Sequence, residues 1–214
     1  MKTPFLPLLI LAAALSLTGC GTTAGYKQAD KTGAGIAGFR EEIVNGNQAI
    51  DETMKALDEI AAKATTDPRK AFEQFSKAVK RLDTAAGKVR KSSETMKAQG
   101  AAYFQNWETQ LAQVNNAEIR ALAEQRKTRL QEAFEGIRKH SEPLKEQFTP
   151  WMSDLKDLEK YLSNDLTIAG VDAAKGLFAK ASQGGLEVQK SMDALIAELN
   201  TIAATITPAK VQPK

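Results

Sequence analysis

Ile36, Ile43, Ile50 and Leu57 stand at strict seven-residue spacing, and Phe39 and Ile60 fill the gaps between them. A period of seven split into threes and fours keeps apolar side chains on one face of an α-helix, whereas in a strand it would scatter them over both faces. The stripe predicts a first helix over about 34–64. "TTDP" stops it, with Asp67 suited to an N-cap and Pro68 to the first helical position, where the missing N–H costs nothing.

The same periodicity then repeats. Phe72, Val79, Ala86, Ser93, Gly100, Trp107 and Val114 form one heptad line, and Phe75, Leu82, Val89, Met96 and Tyr103 form a second. Two such lines over this distance are a long-bundle or coiled-coil signature. The phase slips at "QVNNAEIR", where Asn115 and Glu118 resemble a capping box and predict a tight turn. One continuous helix with a stutter is the alternative. Ala123, Leu130, Ile137, Leu144, Trp151 and Leu158, with Phe134, Phe148, Leu155 and Leu162, carry a third helix straight through Pro143 and Pro150. Those prolines share one outward face, so they bend the helix without ending it. After a turn at "LSNDLTIAG" a last helix keeps one frame from Val171 through Phe178, Gly185, Met192 and Leu199 to Ile206. Gly184 and Gly185 read as a weak point in it, at about 1 kcal/mol each relative to Ala.

Four such stripes joined by short turns bury their faces against one another, giving an all-α, elongated, up-and-down antiparallel bundle. If the chain turns at Asn115 and Asn116, Trp107 faces Ala123, Gly100 lies near Leu130 and Phe134, and Ala86 lies near Leu144 and Phe148. Large residues then oppose small ones along the seam, as dense packing requires.

The ends read differently. Lys2, an apolar stretch from Phe5 to Leu15 broken by Pro7, and small or polar residues after it have the layout of a secretory signal. A spanning helix needs roughly 20 predominantly apolar residues, and this stretch is shorter. Leu17, Thr18, Gly19 and Cys20 resemble the lipobox of bacterial lipoproteins. That resemblance implies diacylglycerol on the Cys20 sulfur, cleavage before it and acylation of the new amino group, commonly with palmitate. Gly21 follows where many inner-membrane lipoproteins have aspartate, which favours outer-membrane sorting. The expected organisation is a signal over 1–19, lipidated Cys20 with a flexible Gly- and Thr-rich tether over 20–35, one helical domain over 36–206 and a disordered tail over 207–214. Cys20 is the only cysteine, so it has no internal disulfide partner and the core must hold the fold.

Candidate chemistry is sparse. With 29 Lys and Arg against 26 Asp and Glu, bulk charge gives no basis for nucleic-acid binding. His140 is the single histidine, so no histidine-based metal cluster can be built within one chain, and Ser141 beside it points elsewhere on a helix. Trp151 and Tyr161 could line a ligand groove, though Trp151 lies on the core line. Asp154, Asp157, Glu159 and Asp165 alternate with lysines and read as a solvated face rather than a calcium loop. The run from Arg69 to Lys97 has nine basic residues against three acids. It could meet anionic polymers, or pair with Glu41, Glu42, Asp51, Glu52, Asp58 and Glu59 of the first helix.

"YFQNWETQL" with "NNAEIRAL", "EPLKEQFTPWMSDLKDLEKYLSNDL" and "EVQKSMDALIAELN" resemble segments of the bacterial domain of unknown function family 2959. That resemblance implies a long helical exported protein and assigns no activity, cofactor or site. The sequence reading is therefore a non-enzymatic, lipid-anchored envelope protein, without cofactor or metal, acting as spacer, scaffold or regulator through a protein or cell-wall partner. Self-association is left open. The alternative is a periplasmic carrier of a lipid or other apolar ligand, opening at the small-residue zones around Gly100 and Gly185.

Overall fold

The computed structural model describes residues 24–206, all of the long elements being helices: α1 (Ala24–Lys63), α2 (Arg69–Leu111), α3 (Ala117–Asn164), the short α4 (Ile168–Ala173) and α5 (Lys175–Ile206). The 43 residues of α2 and the 48 of α3 make helices about 65 and 72 Å long. They run up and down. Around the bundle the order is α2, α1, α5, α3; of the neighbouring long helices α1 and α2 pack most intimately, and α2 and α3 least.

The heptad stripes are the core. Ile36, Ile43, Ile50, Leu57 and Ile60 are fully buried, as are Phe75 and Leu82 of α2 and Leu155 and Leu162 of α3. In α5 the frame from Phe178 to Ile206 is buried at each predicted position. Of the two α2 lines, the one through Phe75, Leu82, Met96 and Tyr103 lies deeper, while Ala86, Val89 and Ser93 are half-exposed.

Local signals set the helix ends. The N-cap of α2 is Pro68, not Asp67, and the helix starts one residue later than expected, at Arg69; Asp67 accepts a hydrogen bond from the Arg69 N–H at 3.1 Å, and the Pro68 carbonyl receives the first helical bond, from Phe72 N–H, at 2.8 Å. At the next turn the capping residue is Asn116, not Asn115: its side-chain oxygen accepts from the N–H groups of Glu118 and Ile119 at 2.9 and 3.1 Å. Pro143 and Pro150 lie inside α3 on its exposed side. There the carbonyls they leave unbonded face water, which is why the helix continues through both.

Three expectations need correction. Of the tether expected over 20–35, residues 24–35 are the first three turns of α1. Composition alone reads this Gly-rich stretch as mobile, but Ala29 and Thr32 are buried against α2, and the Thr32 hydroxyl lies within hydrogen-bond distance of the Gln28 and Gln99 carbonyls at 2.9 and 3.3 Å. Tertiary packing overrides weak local propensity here. The last helix begins as α4, after Thr167 caps the Gly170 N–H at 3.0 Å, and is interrupted at Ala174 before α5. The buried frame passes through that interruption, since Val171 and Ala174 are both buried. Finally, partners on α3 lie one to two turns further along than a midpoint at Asn115 and Asn116 gives. Glu108 meets Lys127 at 3.7 Å, and Asp83 meets Lys156 at 3.0 Å.

Candidate functional site

Cys20, Leu17, Thr18 and Gly19, the residues of the expected lipidation site, lie outside the described residues, as does the expected tail over 207–214. Within the described bundle three places combine unusual residues with defined geometry.

The first is the seat of Trp151. Its indole is buried, and Nε1–H donates to the Ala181 carbonyl on α5 at 2.8 Å. Gly184 and Gly185 make room for it. A Cβ on Gly184 would stand 2.6 Å from Trp151 Cδ1, and one on Gly185 would stand 2.5 Å from Met54 Sδ and 3.2 Å from Trp151 Cζ2. The two glycines are thus a socket in a continuous helix rather than a weak point. Tyr161 does not join Trp151 in a groove; its hydroxyl donates to the Gly170 carbonyl at 3.1 Å and bolts the end of α3 to α4.

The second is an aromatic cluster near the α2–α3 turn. Tyr103 packs edge-on against Phe104 and Trp107, with ring centroids 5.5 Å apart in both cases, and Phe104 meets Phe134 at 5.4 Å. Gly100 receives the Phe134 ring, since a Cβ there would lie 2.6 Å from Phe134 Cε1. The predicted proximity of Gly100 and Phe134 is therefore present. Burial of Tyr103 raises its phenol above the ordinary value, and the Arg126 charge opposes this in part.

The third is an open groove of about 470 Å³ between α1 and α2, with Gly35 and Gly38 on one wall and Lys88, Lys91, Ser92 and Thr95 on the other. Glu42 Oε2 and Gln99 Oε1 are shielded from solvent without a hydrogen-bond partner. The Gln99 amide fills the space that a Gly35 side chain would take. Reading this stretch as a tether concealed the groove; the signal that reveals it is Gly35 and Gly38, three apart and so on one helical face.

The remaining candidates disperse. His140 is exposed, with Nδ1 2.9 Å from the Gly136 carbonyl, and Ser141 donates to Ile137 O at 2.7 Å. Asp154 holds Lys180 at 2.8 Å, Glu159 accepts from Ser76 at 2.5 Å, and Asp165 accepts from the Thr167 hydroxyl at 2.6 Å. Of the expected pairing between acidic α1 and basic α2, Arg81–Glu52 at 3.1 Å is present. Among the described residues there is no group of three or more His, Cys, Asp or Glu that could hold a metal ion, and no helix long and apolar enough to cross a membrane.

The model for the protein of unknown function family DUF2959 matches residues 23–206. The chain belongs to the DUF2959 family. The matched span starts one residue before α1 and ends with α5, so the family unit is this helical bundle. No curated protein and no solved structure matches the chain.

Proposed function

We propose that this DUF2959 member is a non-enzymatic, lipid-anchored envelope protein, held by Cys20 in the outer membrane and facing the periplasm, where its helical body acts as a spacer or scaffold for a protein or cell-wall partner. The observation that carries the reading is an arrangement along one axis. α1 starts at one end of a bundle about 70 Å long, four residues after the cysteine of the lipobox-like Leu17, Thr18, Gly19 and Cys20. The α1–α2 and α3–α4 turns lie at the far end. A stack of long helices with few loops keeps that distance against thermal bending better than a tether would.

The carrier reading has less support. Its openings were expected around Gly100 and Gly185, and these positions are filled by Phe134 and by Met54 with Trp151.

Two measurements test the proposal. Cys20→Ser blocks signal processing or releases the protein from the membrane fraction; normal cleavage with full membrane retention overturns the anchor. Photocrosslinkers at Thr66 and Asn164, both exposed near the far end, trap a discrete partner in cells. Only diffuse products from both positions would overturn the scaffold.

A further inference from the structure

The α2–α3 hairpin is longer than the rest of the bundle at the end where α1 begins. Arg126 donates to the carbonyl of Thr205, the penultimate residue of α5. Residues 117–125 of α3 therefore run on past α5 by about 14 Å. On the other side Gln28 and Thr32 of α1 both reach the Gln99 carbonyl, at 3.4 and 3.3 Å. Ala24 is then level with about residue 105 of α2, and Leu111 lies about 9 Å beyond it. Among the described residues both partners end here and the hairpin continues.

This overhang carries apolar side chains in the open. Ile119 and Leu122 are 54 % and 67 % exposed, and their spacing of three puts them on one helical face. Tyr26, 52 % exposed, stands in the first turn of α1 at the same end. Three cations of the hairpin near Ile119 and Leu122 have partners within the protein. Arg120 donates to the Val114 carbonyl at 3.2 Å through Nε and 2.5 Å through Nη2, Arg126 is held by Thr205, and Lys127 pairs with Glu124 at 2.9 Å and Glu108 at 3.7 Å.

We propose that the tip of the α2–α3 hairpin, through Ile119 and Leu122, rests in the interface of the phospholipid bilayer that holds the anchor. This rests on the lipid anchor proposed above, which supplies the occupant. Cys20 precedes Ala24 by four residues, so even fully extended chain separates them by no more than about 14 Å. That reach is close to the length of the overhang, so a bilayer holding the acyl chains of Cys20 meets the hairpin tip. Apolar side chains at such a tip sink into the boundary between headgroups and acyl chains. The two side chains that make the contact carry no charge, so it is apolar in origin and persists in high salt, where an electrostatic attachment would be screened. Anchor and tip together fix the tilt of the rod, which a single flexible attachment does not.

The experiment uses the full lipidated chain in neutral phosphatidylcholine vesicles. Lipidation consumes the sole native thiol, so a nitroxide on Leu122→Cys is specific, and one on Thr66→Cys at the far end is the control. The expected result is flotation with the vesicles, a label at position 122 at least about tenfold more accessible to oxygen relative to a water-soluble nickel chelate than the label at 66, and no change at high salt. Flotation with equal accessibility at both positions overturns the tip contact and leaves the anchor standing. Failure to float removes the anchor and the inference with it. Shielding of position 122 that is the same without vesicles, with spin–spin broadening, identifies a second copy of the chain as the occupant and also overturns the proposal.

Discussion

Trp151 of α3 donates its indole N–H to the main-chain carbonyl of Ala181 on α5 at 2.8 Å, inside the core. A carbonyl in a helix interior already accepts its own helical bond, so the indole uses the second lone pair and joins two helices without disturbing either. The bond also resolves why a large amphipathic ring can lie on a core line, since its one donor is satisfied.

Removing that donor gives the first test. Trp151→Phe keeps most of the packing and leaves the Ala181 carbonyl with its helical partner, so it costs about 1–3 kcal/mol through the lost bond and the space left by the smaller ring. Trp151→Ala costs about 3–5 kcal/mol. Chemical denaturation of the three proteins measures both, and equal stability of Trp151→Phe and the parent would show that the bond contributes nothing.

Two glycines in helix interiors should respond with opposite sign. At Gly87 an added Cβ meets nothing within 4 Å, so Gly87→Ala stabilises by about 0.5–1 kcal/mol through backbone entropy alone. At Gly184 the same atom would stand 2.6 Å from Trp151 Cδ1 and 3.3 Å from Nε1. The indole must move and its bond to Ala181 must stretch, so Gly184→Ala is a net loss of about 1 kcal/mol or more despite the gain in propensity. Thermal melts of the two variants side by side check the sign.

Much of this architecture was legible because helical period is written in residue type. Ile36, Ile43, Ile50 and Leu57 could lie together on no other regular element, and each is fully buried. The large-against-small rule likewise brought Gly100 to Phe134. What escaped the sequence depends on the partner across the seam. Gly35 looks like the end of a tether until Gln99 of α2 comes against it, and Gly184 looks like a flaw until Trp151 fills it. The stagger of α2 against α3 escaped for the same reason. A turn fixes where two helices meet, but the interlock of Phe104 with Phe134 and of Glu108 with Lys127 decides how far one slides along the other.

Alkaline stability should depend on Tyr103. Burial is the larger influence on its phenol and raises its pKa above 10.0 in the folded chain, with Arg126 opposing. The folded state therefore keeps this proton when the unfolded state has begun to lose it. The contribution is fully present below the unfolded pKa of about 10 and is lost as pH rises through the higher folded value. Tyr103→Phe cannot ionise, so its stability falls less steeply above pH 10 than that of the parent. Denaturation midpoints followed from pH 8 to 11 measure the difference, and parallel curves would mean that the phenol titrates alike in both states.

Phe134 and Gly100 define how closely α2 and α3 approach beneath the overhanging hairpin. A methyl group at position 100 would stand 2.6 Å from Phe134 Cε1 and 3.2 Å from Cδ1. Because the ring also lies edge-on against Phe104 at 5.4 Å, it has little freedom to retreat, and Gly100→Ala costs about 1–3 kcal/mol. Gly100→Leu costs at least as much. Phe134→Leu alone also destabilises, by opening space beside Phe104. In the double variant Gly100→Ala with Phe134→Leu the new methyl occupies part of the space the ring vacates, so the two losses do not add. The coupling should be about 0.5–3 kcal/mol in the favourable direction. A double-mutant cycle by chemical denaturation measures it, and strict additivity would mean that these two residues are not in contact and that the hairpin register is different.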